Sequence, residues 1–195
     1  MRFFKKNHNP LAQIGEHPDD PKVADILAKH KINRLFDIGA NIGQYARRMR
    51  RAGYKGKIIS VEPLKENITT LNELAGDDKK WRIASQTAVG AQSGEVTINV
   101  SEHNDMSSAL PREDTLGQAL KRSRYVDEQT VPLTTLKALV DRYIDAPAKR
   151  KLAVKIDTQG YELPILKGGT QLFEQEMIDI IQIEMSLIPL YRDEP

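Results

Sequence analysis

The sequence predicts an α/β domain in which a mainly parallel sheet carries helices on both faces. Three observations support this. Short apolar runs, "RLFDI", "KIISVEP", "KLAVKID" and "MIDIIQIE", alternate with segments of helical periodicity, as in a sheet buried on both sides. The 195 residues suffice for one domain with a buried core and fall short of two comfortable ones. Carboxylates stand at the ends of several of the runs, where a purely structural sheet has no use for them.

Residues 1–19 read as an N-terminal arm, since Asn7, Asn9, Pro10 and Pro18 stand among little periodicity; residues 20–195 read as the domain. "DDPKVADILAKHKI" predicts a helix with Asp20 as cap, Pro21 in the first turn and Val23, Ile26 and Leu27 on one face. After the strand "RLFDI", "GQYARRMRRAG" is helical and ends at Gly53, a C-terminal cap. "KIISVEP" is a strand, and "LKENITTLNELAG" a helix with Leu64, Ile68, Leu71 and Leu74 at helical spacing. "RIASQTAVG" and "EVTINV" read as two strands around a turn at Ser93–Gly94. Residues 101–129 are polar and irregular, with a short helix over "DTLGQALKR". "TTLKALVDRY" is helical, "KLAVKID" a strand, "ELPILKGGTQLFEQ" helical with Gly168–Gly169 near its middle, and "MIDIIQIE" the last strand.

Composition narrows the chemistry. There is no cysteine, so disulfides, thiolate metal sites and a cysteine nucleophile are excluded. A net charge of +2, with 39% hydrophobic and 29% charged residues, is globular and points to no charged partner. The string Arg47, Arg48, Arg50 and Arg51 lacks interleaved aromatics and reads as a solvated helix face rather than a nucleic-acid surface. No secretory signal is visible in "MRFFKKNHNPLAQIG", and no window approaches the roughly 20 apolar residues of a membrane helix. The expectation is a cytoplasmic protein without membrane association.

In parallel α/β sheets ligands sit at the carboxyl ends of the strands. Those ends hold Asp37–Gly39, Glu62–Pro63, Ala88–Gly90, Asp157–Gly160 and Glu184. "FDIGANIGQY" resembles a nucleotide-binding strand–loop–helix, yet Asn41 and Gln44 stand where the dinucleotide fingerprint needs glycine, and the loop lacks the lysine of a P-loop. An acidic residue before the loop repels a pyrophosphate and favours a cationic, hydroxyl-rich ligand. S-adenosylmethionine fits, with Glu62 placed to accept both ribose hydroxyls.

"FDIGANIGQY", "SVEP", "TAVG" before "SGEV", "SSAL", "VPLTTL", "KIDTQGYELPILKG" and "IQIEMSLIPLY" together resemble the FkbM family of S-adenosylmethionine-dependent methyltransferases, over roughly residues 34–192. The resemblance implies a Rossmann-like, seven-stranded class I methyltransferase fold and O-methylation of a hydroxyl on a sugar, polyketide or similar small molecule. By position it puts Asp37, Gly39, Asn41 and Gly43 around the methionine part of the cofactor, Glu62 with Pro63 at the ribose, and Ala88 beside the adenine.

Methyl transfer to an alcohol needs alignment and a destination for the proton. Asp157, with Glu184, is the candidate: as a base, or as a carboxylate metal site suited to Mg²⁺. Glu162 reads as a helix N-terminal charge, Lys155 as half of a structural ion pair, "SSAL" as a lid or an ordinary turn, and His103 as solvated. The family pattern continues beyond "LIPLYRDEP" to a C-terminal strand pair, so the expectation is an exposed apolar edge at "IDIIQIE" that pairs with a second copy. The alternative to an active enzyme is a catalytically incomplete cofactor-binding or structural module that associates with a partner chain.

Overall fold

Side chains alternate across a strand, so a strand that is apolar at every position must be covered on both faces. The computed structural model obeys this; it describes residues 15–101, 107–111, 125–144, 150–185 and 191. In chain order the elements are α1 (Asp20–Lys29), β1 (Arg34–Ile38), α2 (Gln44–Arg51), β2 (Lys57–Val61), α3 (Lys65–Ala75), β3 (Trp81–Ile83), β4 (Ala88–Gly90), β5 (Gly94–Ser101), β6 (Tyr125–Thr135), α4 (Leu136–Tyr143), β7 (Leu152–Ile156), α5 (Glu162–Gly168), α6 (Thr170–Glu174) and β8 (Ile180–Ile183).

The main sheet is parallel, in the order β3-β2-β1-β7-β8. The chain runs outward from β1 to β3, then returns to β7 on the other side of β1. The switch in strand order therefore lies between β1 and β7, where such sheets bind ligands. Phe36, Ile38, Ile59, Val154 and Ile156 face Leu136, Leu139, Ile165 and Leu172 of α4, α5 and α6. Leu35, Ile58 and Ala153 face Leu27, Ala46, Met49 and Leu71 of α1, α2 and α3. Among the described residues no helix is long and apolar enough to cross a membrane.

Several sequence expectations are corrected. Asp19, not Asp20, is the N-cap of α1. Asp20 is already the first helical residue; it is buried and accepts from the His17 N–H (2.8 Å) and from Arg48 Nε (3.1 Å). Ile26 is exposed, and the buried face of α1 is Ala24 and Leu27. The arginine string is not simply a solvated face: Arg48 pairs with Asp20, while Arg50 pairs with Asp78 (2.7 Å) and donates to the carbonyls of Tyr54 and Gly56. Gly53 does close α2, with its own N–H bonded to the Arg50 carbonyl and that of Tyr54 to the Met49 carbonyl.

"RIASQTAVG" is two strands in different sheets, since β4 joins β6 and β5 in a second sheet of order β4-β6-β5. Residues 125–129, read as irregular, open the eleven-residue strand β6. That stretch, with exposed Val126, Asp127 and Glu128, does not alternate cleanly, because much of it is exposed to solvent rather than buried. The helix over "ELPILKGGTQLFEQ" breaks into α5 and α6 at Gly169. The helix expected over residues 114–122 lies outside the described residues.

Candidate active site

"FDIGANIGQY" turns sharply because residues 39, 41 and 43 all take left-handed backbone, with φ of 74°, 48° and 91°, conformations open to glycine and tolerated by asparagine. Gly39 and Ala40 donate to the Val61 carbonyl at 3.1 and 3.0 Å, which lays the loop across the end of β2. A Cβ on Gly39 would collide with the Asp157 carbonyl, so only glycine lets β1 turn this close to the end of β7. At Gly43 a Cβ would press on Leu71 and Trp81, and this glycine sets the packing of α2 on the sheet.

The loop borders a cavity of about 900 Å³ at the carboxyl ends of β1, β2, β7 and β8. Of the residues named from sequence, Gly39, Asn41, Glu62, Pro63, Ala88, Asp157 and Glu184 line it; Asp37 and Gly43 do not. Asp37 is wholly buried beneath the loop. It belongs to a polar row crossing the sheet, in which Ser60, Asp37, Lys155 and Gln182 are register partners on successive strands. Lys155 Nζ lies 3.2 Å from Asp37 Oδ1, 3.2 Å from Asp157 Oδ2 and 3.2 Å from the Gly39 carbonyl. Ser60 Oγ donates to Asp37 (3.3 Å) and receives Trp81 Nε1–H (3.0 Å). Tyr45 covers the row, donating to Gln182 Oε1 (2.7 Å) with Lys155 Nζ 5.4 Å from its ring centroid. Lys155 thus forms the ion pair its sequence position suggested. Burial alone would depress its pKa, but Asp37 and Asp157 overcome that and hold it above the ordinary lysine value.

Glu62 is buried and held by three donors: Asn41 N–H to Oε2 (2.9 Å), and Leu64 N–H and Asn67 Nδ2 to Oε1 (both 3.0 Å). A carboxylate offers about four acceptor positions, so one remains, on Oε2. That differs from acceptance of two ribose hydroxyls, which would require a protein donor to move away. Burial pushes the Glu62 pKa up against the pull of those donors. Asn41 Oδ1 is buried and, among the described residues, has no hydrogen-bond partner, although its residue lines the cavity.

Across the cavity, Asp157 follows β7 and Glu184 follows β8, on the rung beyond the Ile156–Ile183 pair. The Asp157 N–H is held by the Ile38 carbonyl (3.1 Å) and that of Glu184 by the Ile156 carbonyl (2.9 Å). The two carboxyl groups interact: the charge of Asp157, then partial burial, raises the Glu184 pKa. Asp157 also accepts from Gln159 Nε2 at 3.0 Å.

Glu162 caps the loop after β7, accepting from Thr158 N–H, Thr158 Oγ1 and Gly160 N–H at 2.8, 3.1 and 3.3 Å. "SSAL" forms a cavity wall, with Ser108 Oγ donating to the Gln159 carbonyl (2.7 Å) and its backbone paired to Asn99. His103 lies outside the described residues. Among the described residues no group of three or more His, Asp or Glu is arranged to hold a metal ion, so the carboxylate Mg²⁺ site considered for Asp157 and Glu184 finds no ligand set there; the cation beside Asp157 is Lys155.

Sequence reasoning missed Asn67, Tyr45, Gln182, His17 and Arg48. Asn67 carried a signal: it interrupts the apolar stripe of Leu64, Leu71 and Leu74 on α3 yet is buried. The others come together only through the fold.

A doubly covered parallel sheet with a cavity at its switch point defines a Rossmann-like α/β fold. The model of the methyltransferase FkbM domain matches residues 37–195, and the chain belongs to that family of methyltransferases. Among solved structures, a "putative RNA methyltransferase" from Pyrococcus horikoshii matches with 22% identity and a TM-score of 0.30, over 36% of this chain and 41% of that one. The chain therefore spans less than half the length of that structure. No curated protein matches it.

Proposed function

We propose that this chain is an S-adenosylmethionine-dependent O-methyltransferase acting on a hydroxyl of a sugar, polyketide or similar small molecule. The observation that carries the reading is one cavity bordered on one side by Glu62 and Asn41 and on the other by the Asp157–Glu184 pair. Its volume of about 900 Å³ lies near the top of the usual 300–1,000 Å³ range for ligand sites, so it suits two reactants side by side.

The residues present fit the cofactor. Glu62 Oε2 keeps one acceptor position for a ribose hydroxyl, and the orphaned Asn41 Oδ1 is an acceptor for an ammonium or hydroxyl. Pro63, Leu64 and Ala88 provide an apolar slot for a base. When bound, the cofactor supplies an electrophilic methyl group on a sulfonium. The protein aligns the acceptor oxygen with it and takes up the proton.

Glu184 is the better proton acceptor, because Asp157 has moved its pKa upward, toward neutral pH. Asp157, pinned by Lys155 and Gln159, holds the field that keeps it there.

Methyl transfer to a panel of hydroxylated acceptors tests this reading across pH. Asp157→Asn is expected to lower kcat by about 10²-fold or more while leaving the cofactor Kd nearly unchanged. Its residual activity should retain an acid limb moved to lower pH, since Glu184 loses the neighbour that raised its pKa. Full activity with an unmoved limb would remove the pair from the mechanism.

A further inference from the structure

The lining of the cavity extends past the Gly39 loop to residues at the start of α1 and on α2, a stretch termed the cleft. Gln44 and Arg48 are one helical turn apart on one face of α2 and line the cleft, with His17 and Val23 opposite. Arg48 is held in place: Nε bonds Asp20 Oδ1 at 3.1 Å, and the guanidinium carbon lies 5.8 Å from the Tyr45 ring centroid. Among the described residues its two terminal nitrogens have no acceptor, although the side chain is only 26% exposed. A guanidinium fixed through Nε presents its other edge, two parallel N–H groups, in the geometry that grips a carboxylate.

Asn41 lines the same cavity, and among the described residues its buried Oδ1 has no donor. The cavity lining thus combines a fixed cation with an unfilled acceptor, the complement of a zwitterionic amino acid.

We infer that Arg48 receives the α-carboxylate of the cofactor's methionine part, making the Arg48–Asp20 pair a specificity device as well as a link between α1 and α2. The inference rests on the cofactor reading above. The acidic groups near the cleft do not cancel it: Asp20 is spent on Arg48 Nε, and Asp19 is paired with Lys22 at 3.0 Å.

The test is calorimetric binding of S-adenosylmethionine and of its decarboxylated analogue, which keeps the sulfonium and ammonium but lacks the carboxylate. The wild-type chain is expected to prefer S-adenosylmethionine by about 10- to 100-fold. Arg48→Gln should collapse that ratio toward one by weakening S-adenosylmethionine alone. Should Arg48→Gln fail to fold, Arg48→Lys keeps a cation against Asp20 and is expected to give a ratio below the wild type's. Equal affinity of the wild type for both ligands, or an unchanged ratio in whichever variant folds, overturns the assignment while the cofactor reading stands. Binding of neither ligand by folded wild type overturns both.

Discussion

At the scale of single residues, the site depends on charges buried in pairs. Lys155 sits between Asp37 and Asp157 with little exposure, and a buried charge without its partner is expensive. Lys155→Met leaves two carboxylates uncompensated and is expected to cost about 3–5 kcal/mol of stability, measured by urea unfolding at pH 7. Adding Asp37→Asn should return part of the loss; additive losses would contradict the pairing. Because the folded-state pKa of Lys155 is raised, its contribution is fully present below the ordinary lysine value of 10.5 and is lost only as pH climbs beyond it. Stability owed to this residue is therefore flat through neutral pH. The sequence showed that Lys155 was out of place in an apolar strand, and a structural ion pair followed. It did not show that Asp37 is the partner, since that needs β1 and β7 side by side in register. Asp37 was accordingly read as a cofactor contact when it lies under the loop.

At the scale of elements, tight turns at the ends of parallel strands position the chemistry. Gly39 is the most demanding position, with left-handed backbone and a Cβ site filled by the Asp157 carbonyl. Gly39→Ala is expected to lower stability by at least about 1–3 kcal/mol and to weaken cofactor binding together with it. A thermal melt and a titration of the same sample check this, and wild-type values in both would show that the loop has room to spare. The main-sheet strands were legible because burial on both faces makes them continuous apolar runs. β6 was not, since the exposed side chains over its first residues look like loop. The outer edge of β8, paired only on its β7 side among the described residues, carries Ile181 at 39% exposure. We propose that this edge pairs with a second copy of the chain. Sedimentation should then reveal a concentration-dependent dimer that Ile181→Lys dissolves, whereas a monomer at every concentration would contradict it.

At the scale of the whole molecule, the order β3-β2-β1-β7-β8 brings residues far apart in sequence to one cavity. Glu62, Asp157 and Glu184 were legible one by one as acids at strand ends. Their differing environments were not, because these depend on neighbours contributed by other elements: Asn67 and Asn41 for Glu62, Asp157 for Glu184. Arg48 and His17 reach the cavity only through the docking of α1 beside α2, which no local pattern announces. The proposed function requires this cavity to be the S-adenosylmethionine site, with Glu62 as a ligand-facing acceptor. The most direct measurement is isothermal titration of the purified chain with S-adenosylmethionine, beside NAD and the variant Glu62→Gln. The expected result is saturable binding of S-adenosylmethionine, no binding of NAD, and affinity at least about tenfold lower in Glu62→Gln, where a donor replaces one acceptor oxygen. A folded wild-type chain that leaves S-adenosylmethionine unbound, or that binds it equally well as Glu62→Gln, would contradict the account.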